Sequence, residues 1–172
     1  HCMTLKLDDR DLKILSTLSK EGRLSKAELA KRVNLSPTPL WERLKRLEKH
    51  GIISGYRAEI SLKQVAPHIE VFVTVELEDH RSESFQQFER MVDLHDEIVA
   101  CWAIGGGLDY ILNIVTRDID SYQRLIDTLL AGKTGLARYY TYVVTKPVKT
   151  RAQLPLHSLL QDDPVSNPAP NR

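Results

Sequence analysis

The sequence predicts an α+β protein in two parts, first three helices and then a mixture of strands and helices. Leucines recur at helical spacing through residues 7–50, and a capping residue precedes each repeat. From residue 69 onward, stretches such as "IEVFVTVELE" alternate apolar and polar residues, which is typical of half-buried strands. The chain has 172 residues, enough for two small domains.

The two parts also differ in charge. Residues 1–60 contain 13 lysine and arginine residues against 8 aspartate and glutamate residues, whereas the remainder contains 11 against 15. This asymmetry is compatible with a nucleic-acid-binding module joined to a more acidic domain, and also with a basic, solvated helix face. No apolar run approaches about 20 residues, the length of a membrane-spanning helix, so we expect a cytoplasmic protein.

Capping patterns predict where the three N-terminal helices begin. Asp8 is placed to cap the first helix, and acids follow it in the first turn. Ser25 and Glu28 have the spacing of a capping box at the second helix. Ser36 is predicted to cap the third helix, with Pro37 at the first helical position, where a missing N–H costs nothing.

The third helix has one apolar and one polar side. Leu40, Leu44 and Leu47 recur at i, i+4 and i+7 and are expected in the core. Three short helices with a tight turn before the last match a winged-type helix-turn-helix domain, predicted over residues 3–52. A three-helix bundle with a solvated charged face is the alternative. A hinge strand, from Ile53 to Ile60, and a linker are predicted within residues 53–68.

The second part follows the order strand, helix, strand, strand, helix, strand. This order predicts a ferredoxin-like βαββαβ domain over residues 69–150. The strands are expected over residues 69–78, 97–104, 109–116 and 136–148, and the helices over residues 84–94 and 118–130. Such a domain covers one sheet face with helices, which favours dimerisation through the other face. Residues 151–172 form a C-terminal extension, predicted to be disordered from Gln161.

Cysteine and histidine usage does not point to a metal. We expect Met3 to be the natural start, which leaves Cys101 alone in an apolar segment, where a cysteine is usually a core residue. The six histidines have no paired spacing. The sequence therefore predicts no structural metal site and no cofactor.

Three separated motifs resemble one family. "LSPTPLWERLKRLEKHGIISGY", "GGGLDYILNIVT" and "TGLARYYTYVVTKPVK" are similar to segments of the Lrp/AsnC, or leucine-responsive/feast-famine, transcriptional regulators, in the same order and spacing. The resemblance implies a DNA-binding domain, a hinge strand and a ligand-sensing domain. It further implies a homodimer that assembles into higher oligomers, usually octamers, and an amino-acid-like effector bound at contacts between dimers.

The resemblance also implies an effector site. Its residues are Gly105, Gly106, Gly107, Leu108, Asp109 and Tyr110 in the glycine turn, and Tyr139, Tyr140, Thr141 and Tyr142 in the last strand. Backbone N–H groups of such a turn can approach a carboxylate, and Asp109 can pair with an α-ammonium group. The alternative is a tight hairpin turn in which Asp109 makes local hydrogen bonds. Gly107, Tyr139 and Tyr140 depart from the commoner family pattern, which leaves the effector's identity open.

The outer side of the third helix is the expected DNA contact. Ser36, Thr38, Trp41, Glu42, Lys45 and Arg46 are placed to meet the major groove, while Arg43 and Lys49 are expected to hold a phosphate or an internal acid. Trp41 is either a base contact or a packing residue beneath the hinge. The rival functions are an architectural DNA-compacting protein and, from another class, a sirohaem decarboxylase-like enzyme.

Overall fold

The computed structural model describes residues 5–150 and 153–160. They divide into two compact units, one formed by residues up to 59 together with those from 149 onward, and the other by residues 60–148. Each unit has its own hydrophobic core. No helix in the described ranges is long and apolar enough to cross a membrane. The tail from Gln161, predicted to be disordered, lies outside the described residues.

The first unit contains the three predicted helices, α1 (Asp9–Lys20), α2 (Lys26–Arg32) and α3 (Pro37–Lys49). Their apolar sides meet in one core, to which α1 contributes Ile14, α2 contributes Leu29, and α3 contributes three leucines. These are Leu40, Leu44 and Leu47, all buried as predicted. The turn between α2 and α3 contains Asn34 in the left-handed conformation, with φ of 53°.

The three predicted caps differ in outcome. Asp8 forms a complete capping box with Asp11, each side chain accepting a hydrogen bond from the other residue's backbone N–H. Ser25 accepts from the N–H of Glu28 at 3.1 Å. Ser36 is the N-cap residue of α3, as predicted, but its side chain makes no capping hydrogen bond. One of the two usual donors is missing, because Pro39 occupies the third helical position and has no N–H.

The chain around the hinge differs from the prediction. Residues 53–60 form no strand, because no other described segment pairs with them, and a strand needs a hydrogen-bonded neighbour. The predicted linker contains a short helix, α4 (Leu62–Val65). The C-terminal extension forms another short helix, α7 (Leu156–Leu160), which contacts α1. The extension therefore belongs to the first unit rather than standing apart.

The second unit has the predicted βαββαβ order. Its elements are β1 (Ile69–Leu77), α5 (Ser82–Asp93), β2 (Ile98–Ala103), β3 (Tyr110–Thr116), α6 (Ile119–Ala131) and β4 (Leu136–Val143). The strands form one antiparallel sheet in the order β2-β3-β1-β4. The ferredoxin-like prediction is thus confirmed, although β4 ends five residues before the predicted Val148.

Helices α5 and α6 cover one face of this sheet. Alternate residues of β1 and β3 point into the core and meet apolar side chains of both helices. Cys101 packs against this core, and burial raises the pKa of its thiol to about 11, which keeps it in the unreactive thiol form. Leu130, near the end of α6, is exposed because it falls off the buried stripe of this helix.

The other face, which we call the open sheet face, carries large exposed side chains. They are Phe72 of β1, Trp102 of β2, and Tyr140 and Tyr142 of β4. Phe72 lies opposite Tyr142, and Thr74 lies opposite Tyr140. Asn113 of β3 donates to Glu70 at 3.0 Å on the same face. Several exposed aromatic side chains gathered on one sheet face, unlike single scattered ones, are typical of an interaction surface.

Candidate functional site

The outer side of α3 presents polar and aromatic groups to solvent. The exposed members of the predicted set are Ser36, Thr38, Trp41, Glu42, Lys45 and Lys49. They lie opposite the three buried leucines because successive helical residues are about 100° apart. The other two members of the set, Arg43 and Arg46, are half-buried and bind acidic groups of the same unit.

Both arginines bind the same buried carboxylate. Asp11 of α1 is 0% exposed, and its two oxygens accept hydrogen bonds from Nη1 of Arg43 and Nη2 of Arg46, each at 2.9 Å. Nη1 of Arg43 also donates to Asp8 at 2.7 Å. This hydrogen bond, followed by the one from the backbone N–H of Asp11, lowers the pKa of Asp8 to about 2. The four side chains form an ion-pair cluster that joins the start of α1 to the middle of α3.

The ion-pair cluster contains one of the two partners predicted for Arg43. In the structure, this arginine binds an internal acid. Arg46, predicted to face the groove, also pairs with Asp11, and its Nε is buried with no partner among the described residues. The leucine pattern of α3 gave no signal of this, because the carboxylate comes from a residue more than 30 positions earlier in the chain.

Trp41 lies on the outer surface. Its side chain is 45% exposed, and the ammonium groups of Lys45 and Lys26 lie 4.9 and 5.7 Å from its ring centroid. An indole ring that is nearly half exposed and that two cations approach is not a core packing residue. Lys26, the first residue of α2, is absent from the predicted interface because helical spacing within α3 says nothing of side chains from α2.

In the second unit, the glycine turn joins β2 to β3 and faces open space. A Cβ added at Gly105, Gly106 or Gly107 would meet no atom within 4 Å. Only Gly106 has a positive φ, 126°, which an L side chain rarely adopts. The turn therefore leaves room beside it, and its conformation depends on one glycine rather than on all three.

Asp109 follows this turn and is held in place by hydrogen bonds. Oδ2 accepts from the backbone N–H of Leu77 at 2.8 Å, and Oδ1 lies 3.1 Å from Nε2 of His80. The imidazole of His80 also lies against Phe85 of α5, with ring centroids 5.9 Å apart. His80 thus occupies one oxygen of the carboxylate that we expected to meet an ammonium group. No motif in the sequence marks this histidine.

The other predicted effector residues fall on different sides of the sheet. Tyr110 is 2% exposed in the helix-covered core, where it donates to Glu89 at 2.9 Å. Burial, followed by this bond, raises the pKa of Tyr110. Tyr139 packs against the same core, and Thr141 bonds the hydroxyl of Tyr122. Tyr140 and Tyr142 lie on the open sheet face, and Leu108 is half-buried beside Asp109.

The single chain therefore does not gather the ten effector residues into one pocket. Tyr110 and Tyr139 lie on the helix-covered face of the sheet, opposite to the face that carries Tyr140 and Tyr142. Alternation along a strand sends neighbouring residues to opposite faces, which separates Tyr139 from Tyr140. In the described part of the chain, no three His, Cys, Asp or Glu side chains come together as a metal-ion site.

A helix-turn-helix unit with a cationic outer helix, joined to a ferredoxin-like unit with a carboxylate beside an open turn, defines a two-domain DNA-binding regulator. Residues 7–54 match the winged helix-turn-helix DNA-binding family, and residues 70–154 match the Lrp/AsnC ligand binding domain. The chain belongs to the Lrp/AsnC family of transcriptional regulators.

Relatives cover most of the chain. It is 48% identical to the transcriptional regulatory protein DoeX of Halomonas elongata over 145 residues, 84% of this chain and 92% of that protein. It is 38% identical to the leucine-responsive regulatory protein of Escherichia coli, over 86% of this chain and 90% of that protein. A transcriptional regulator of Neisseria meningitidis, solved in complex with L-methionine, superimposes with a TM-score of 0.84 at 33% identity. That alignment covers 90% of this chain and 100% of the other.

Proposed function

We propose that the protein binds duplex DNA through the outer side of α3 and that a small amino-acid-like effector, bound beside Asp109, changes its assembly or its DNA binding. The observation that supports DNA binding is that the charged residues of α3 fall into two groups with different surroundings. Arg43 and Arg46 are used inside the unit, while Trp41 and Lys45 are exposed to solvent. A helix whose inner side is fixed by ion pairs and whose outer side is polar can enter the major groove of DNA.

The proposed DNA contacts follow from this division. Ser36, Thr38, Glu42 and Lys45 meet base edges or nearby phosphates, and Lys49 meets a phosphate near the end of α3. Lysine can read guanine, and glutamate can accept a hydrogen bond from the amino group of cytosine. Arg43 and Arg46 keep α3 in its orientation through Asp11. A regulator with two such units should favour a roughly palindromic site.

The effector part is supported by the open turn and by a relative. The Neisseria meningitidis regulator was solved with L-methionine, which carries both an α-ammonium and an α-carboxylate group. In this chain, the ammonium group would approach Oδ1 of Asp109, now beside His80, and the carboxylate would meet backbone N–H groups of residues 105–107. Since Tyr110 lies in the core, the effector's side chain meets groups other than this ring.

Assembly is proposed to complete the effector site. The open sheet face would bury its aromatic side chains against a second copy, which makes a homodimer. The hydroxyl of Thr74, within this face, is buried with no hydrogen-bond partner among the described residues, and a second chain can supply one. We propose that dimers assemble further, up to an octamer, and that the effector binds where dimers meet.

This arrangement gives a simple switch. An effector bound between dimers shifts the equilibrium toward the assembly that it prefers, and DNA sites whose spacing suits that assembly gain affinity. An effector with equal affinity for both assemblies would change nothing. The proposal gives the chain no catalytic role, in line with the named relatives, which are regulators.

The test is selection of bound duplexes from a random library, followed by affinity measurements with and without L-methionine and the other amino acids. We expect enrichment of a palindromic motif and a change in affinity with at least one amino acid. A library without enrichment, combined with affinities that no amino acid alters, would favour an architectural DNA-compacting protein instead.

A further inference from the structure

The surface beside Trp41 contains a cluster of cations that the core of the first unit does not require. Lys26 begins α2 and Lys45 lies in α3, yet both ammonium groups approach the same indole ring. Among the described residues, neither ammonium group lies within 4.0 Å of a carboxylate. Three arginines of the same two helices, Arg32, Arg43 and Arg46, are by contrast all paired with acids.

Two like charges at one ring repel each other, so the unit alone gains little from this arrangement. A cation over an exposed ring is oriented by it at a small gain in free energy, so the interaction is a poor source of folding stability. An anion that meets both ammonium groups removes the repulsion. The DNA backbone supplies such anions at short, regular intervals, and binding there releases condensed counterions.

We propose that Trp41, Lys26 and Lys45 form a clamp for backbone phosphates of DNA, in which Trp41 is a positioning residue and Lys26 adds a contact from α2. The indole ring holds the two ammonium groups at the surface of the unit. A carboxylate in its place would neutralise them, whereas the ring leaves both charges available. Trp41 is then neither a core residue nor a base-reading residue. This clamp rests on the proposed DNA binding. It implies that part of the contact is with the DNA backbone and does not depend on the base sequence.

The test uses the full chain and a mixed-sequence duplex, because a phosphate contact needs no particular site. The logarithm of the binding constant is plotted against the logarithm of salt concentration. We expect Lys26→Ala and Lys45→Ala each to reduce the magnitude of the slope by about 1. Lys31→Ala is the matched control, since Lys31 is an exposed lysine of the same helix about 140° away around its axis. Lys26→Arg keeps the positive charge and should keep the slope of the unaltered protein.

The role of Trp41 is tested in two backgrounds. Trp41→Leu removes no charge, yet it should weaken binding at least about threefold in the unaltered protein. In the variant that already lacks both lysines, it should have no further effect, because a positioning residue acts through the groups that it holds. Trp41→Phe keeps a ring and should retain part of the affinity, which separates loss of the ring from misfolding. A•T-rich and G•C-rich duplexes should respond alike.

Each contrary result has a distinct meaning. If Lys26→Ala and Lys31→Ala have equally steep salt slopes, Lys26 is not part of the interface, and the clamp is overturned. A loss from Trp41→Leu that is equal in both backgrounds, or that depends on base composition, makes Trp41 a direct DNA contact and overturns its positioning role. Absence of duplex binding by the unaltered protein would overturn the proposed function itself.

Discussion

The carboxylate of Asp11 in α1 accepts a hydrogen bond from the guanidinium group of Arg43 in α3 at 2.9 Å, in a position fully shielded from solvent. Arg46 binds the other oxygen at the same distance. The orientation of α3 therefore depends on a polar contact as well as on its leucines. Two arginines that the sequence places among the candidate DNA contacts thus fix the helix that carries the other candidates.

Replacing Asp11 should destabilise the first unit. Asp11→Asn leaves the guanidinium of Arg46 without its anionic partner. Because the side chain of Arg46 is 40% exposed, the cost should lie below that of a fully buried ion pair, at about 2 kcal/mol. We expect a loss of this size in the free energy of unfolding by urea. Asp9→Asn removes an exposed carboxylate from the same turn and should change stability by less than about 0.5 kcal/mol. Equal losses in the two variants would contradict the role of the ion-pair cluster.

Asp8 should contribute to stability in a pH-dependent way. Its pKa, lowered to about 2 chiefly by Arg43, lies below the ordinary value of 3.8, so the folded state favours the ionised form. This stabilisation is present above pH 4 and is lost as the pH falls from about 4 to about 2. Because the side chain is half exposed, we expect about 0.5 to 1 kcal/mol. In Asp8→Asn, which keeps a capping side chain, unfolding free energy should fall less steeply over this range; an identical pH profile would contradict the assignment.

The glycine turn offers a matched pair of substitutions. Gly106→Ala forces an alanine into a φ of 126° and should cost about 1 to 3 kcal/mol in the second unit. Gly105→Ala, in the same turn, has free space for its Cβ and no positive φ, so it should be nearly neutral. Thermal unfolding measures both. Equal melting temperatures for the two variants would show that the turn does not need the conformation of Gly106.

Asp109 should have a structural role separable from its charge. Asp109→Ala leaves the N–H of Leu77 without its acceptor and should cost about 1 to 2 kcal/mol, whereas Asp109→Asn retains an acceptor oxygen and should cost less. Hydrogen exchange at the Leu77 amide should be faster in the alanine variant than in the asparagine variant. Unchanged protection in Asp109→Ala would mean that this hydrogen bond does not hold the turn.

The open sheet face should control self-association. Trp102, 50% exposed on that face, becomes a buried charge at the proposed interface when replaced by lysine. Trp102→Lys should therefore shift the protein toward monomers in sedimentation velocity. Leu94→Lys, at an exposed apolar residue after α5, is the control and should leave the association unchanged. A Trp102→Lys protein that sediments like the unaltered chain would place the dimer contact elsewhere.

Elements with a clear repeat could be predicted from sequence. The leucines of α3 and the alternating valines of β1 each have one periodic side that must be buried, so the helix, the strand and their cores follow directly. The hinge strand predicted over residues 53–60 is absent from the structure, because a strand also needs a hydrogen-bonded partner, and no described segment provides one. Ser36 occupies the predicted cap position, but its residue type alone does not ensure a side-chain hydrogen bond, which the structure lacks.

Site residues were harder to predict than elements. Arg46 and Asp11 are far apart in sequence, and only the fold brings them together. Tyr110 adjoins Asp109, but strand alternation buries it in the core. His80 and Lys26 belong to no motif and lie near the candidate sites through tertiary packing. Local sequence patterns thus identified the helix and the turn of the two candidate sites, but not the residues that tertiary packing brings close to them.

The most direct measurement is the melting temperature of the purified protein and of its Asp109→Asn variant with L-methionine and with each of the other amino acids. A ligand that binds only the folded state raises the melting temperature by mass action. We predict that at least one amino acid stabilises the unaltered protein and that Asp109→Asn, folded but without the charge, loses this response. The same stabilisation in both proteins, or none with any amino acid, would contradict an amino-acid effector bound at Asp109.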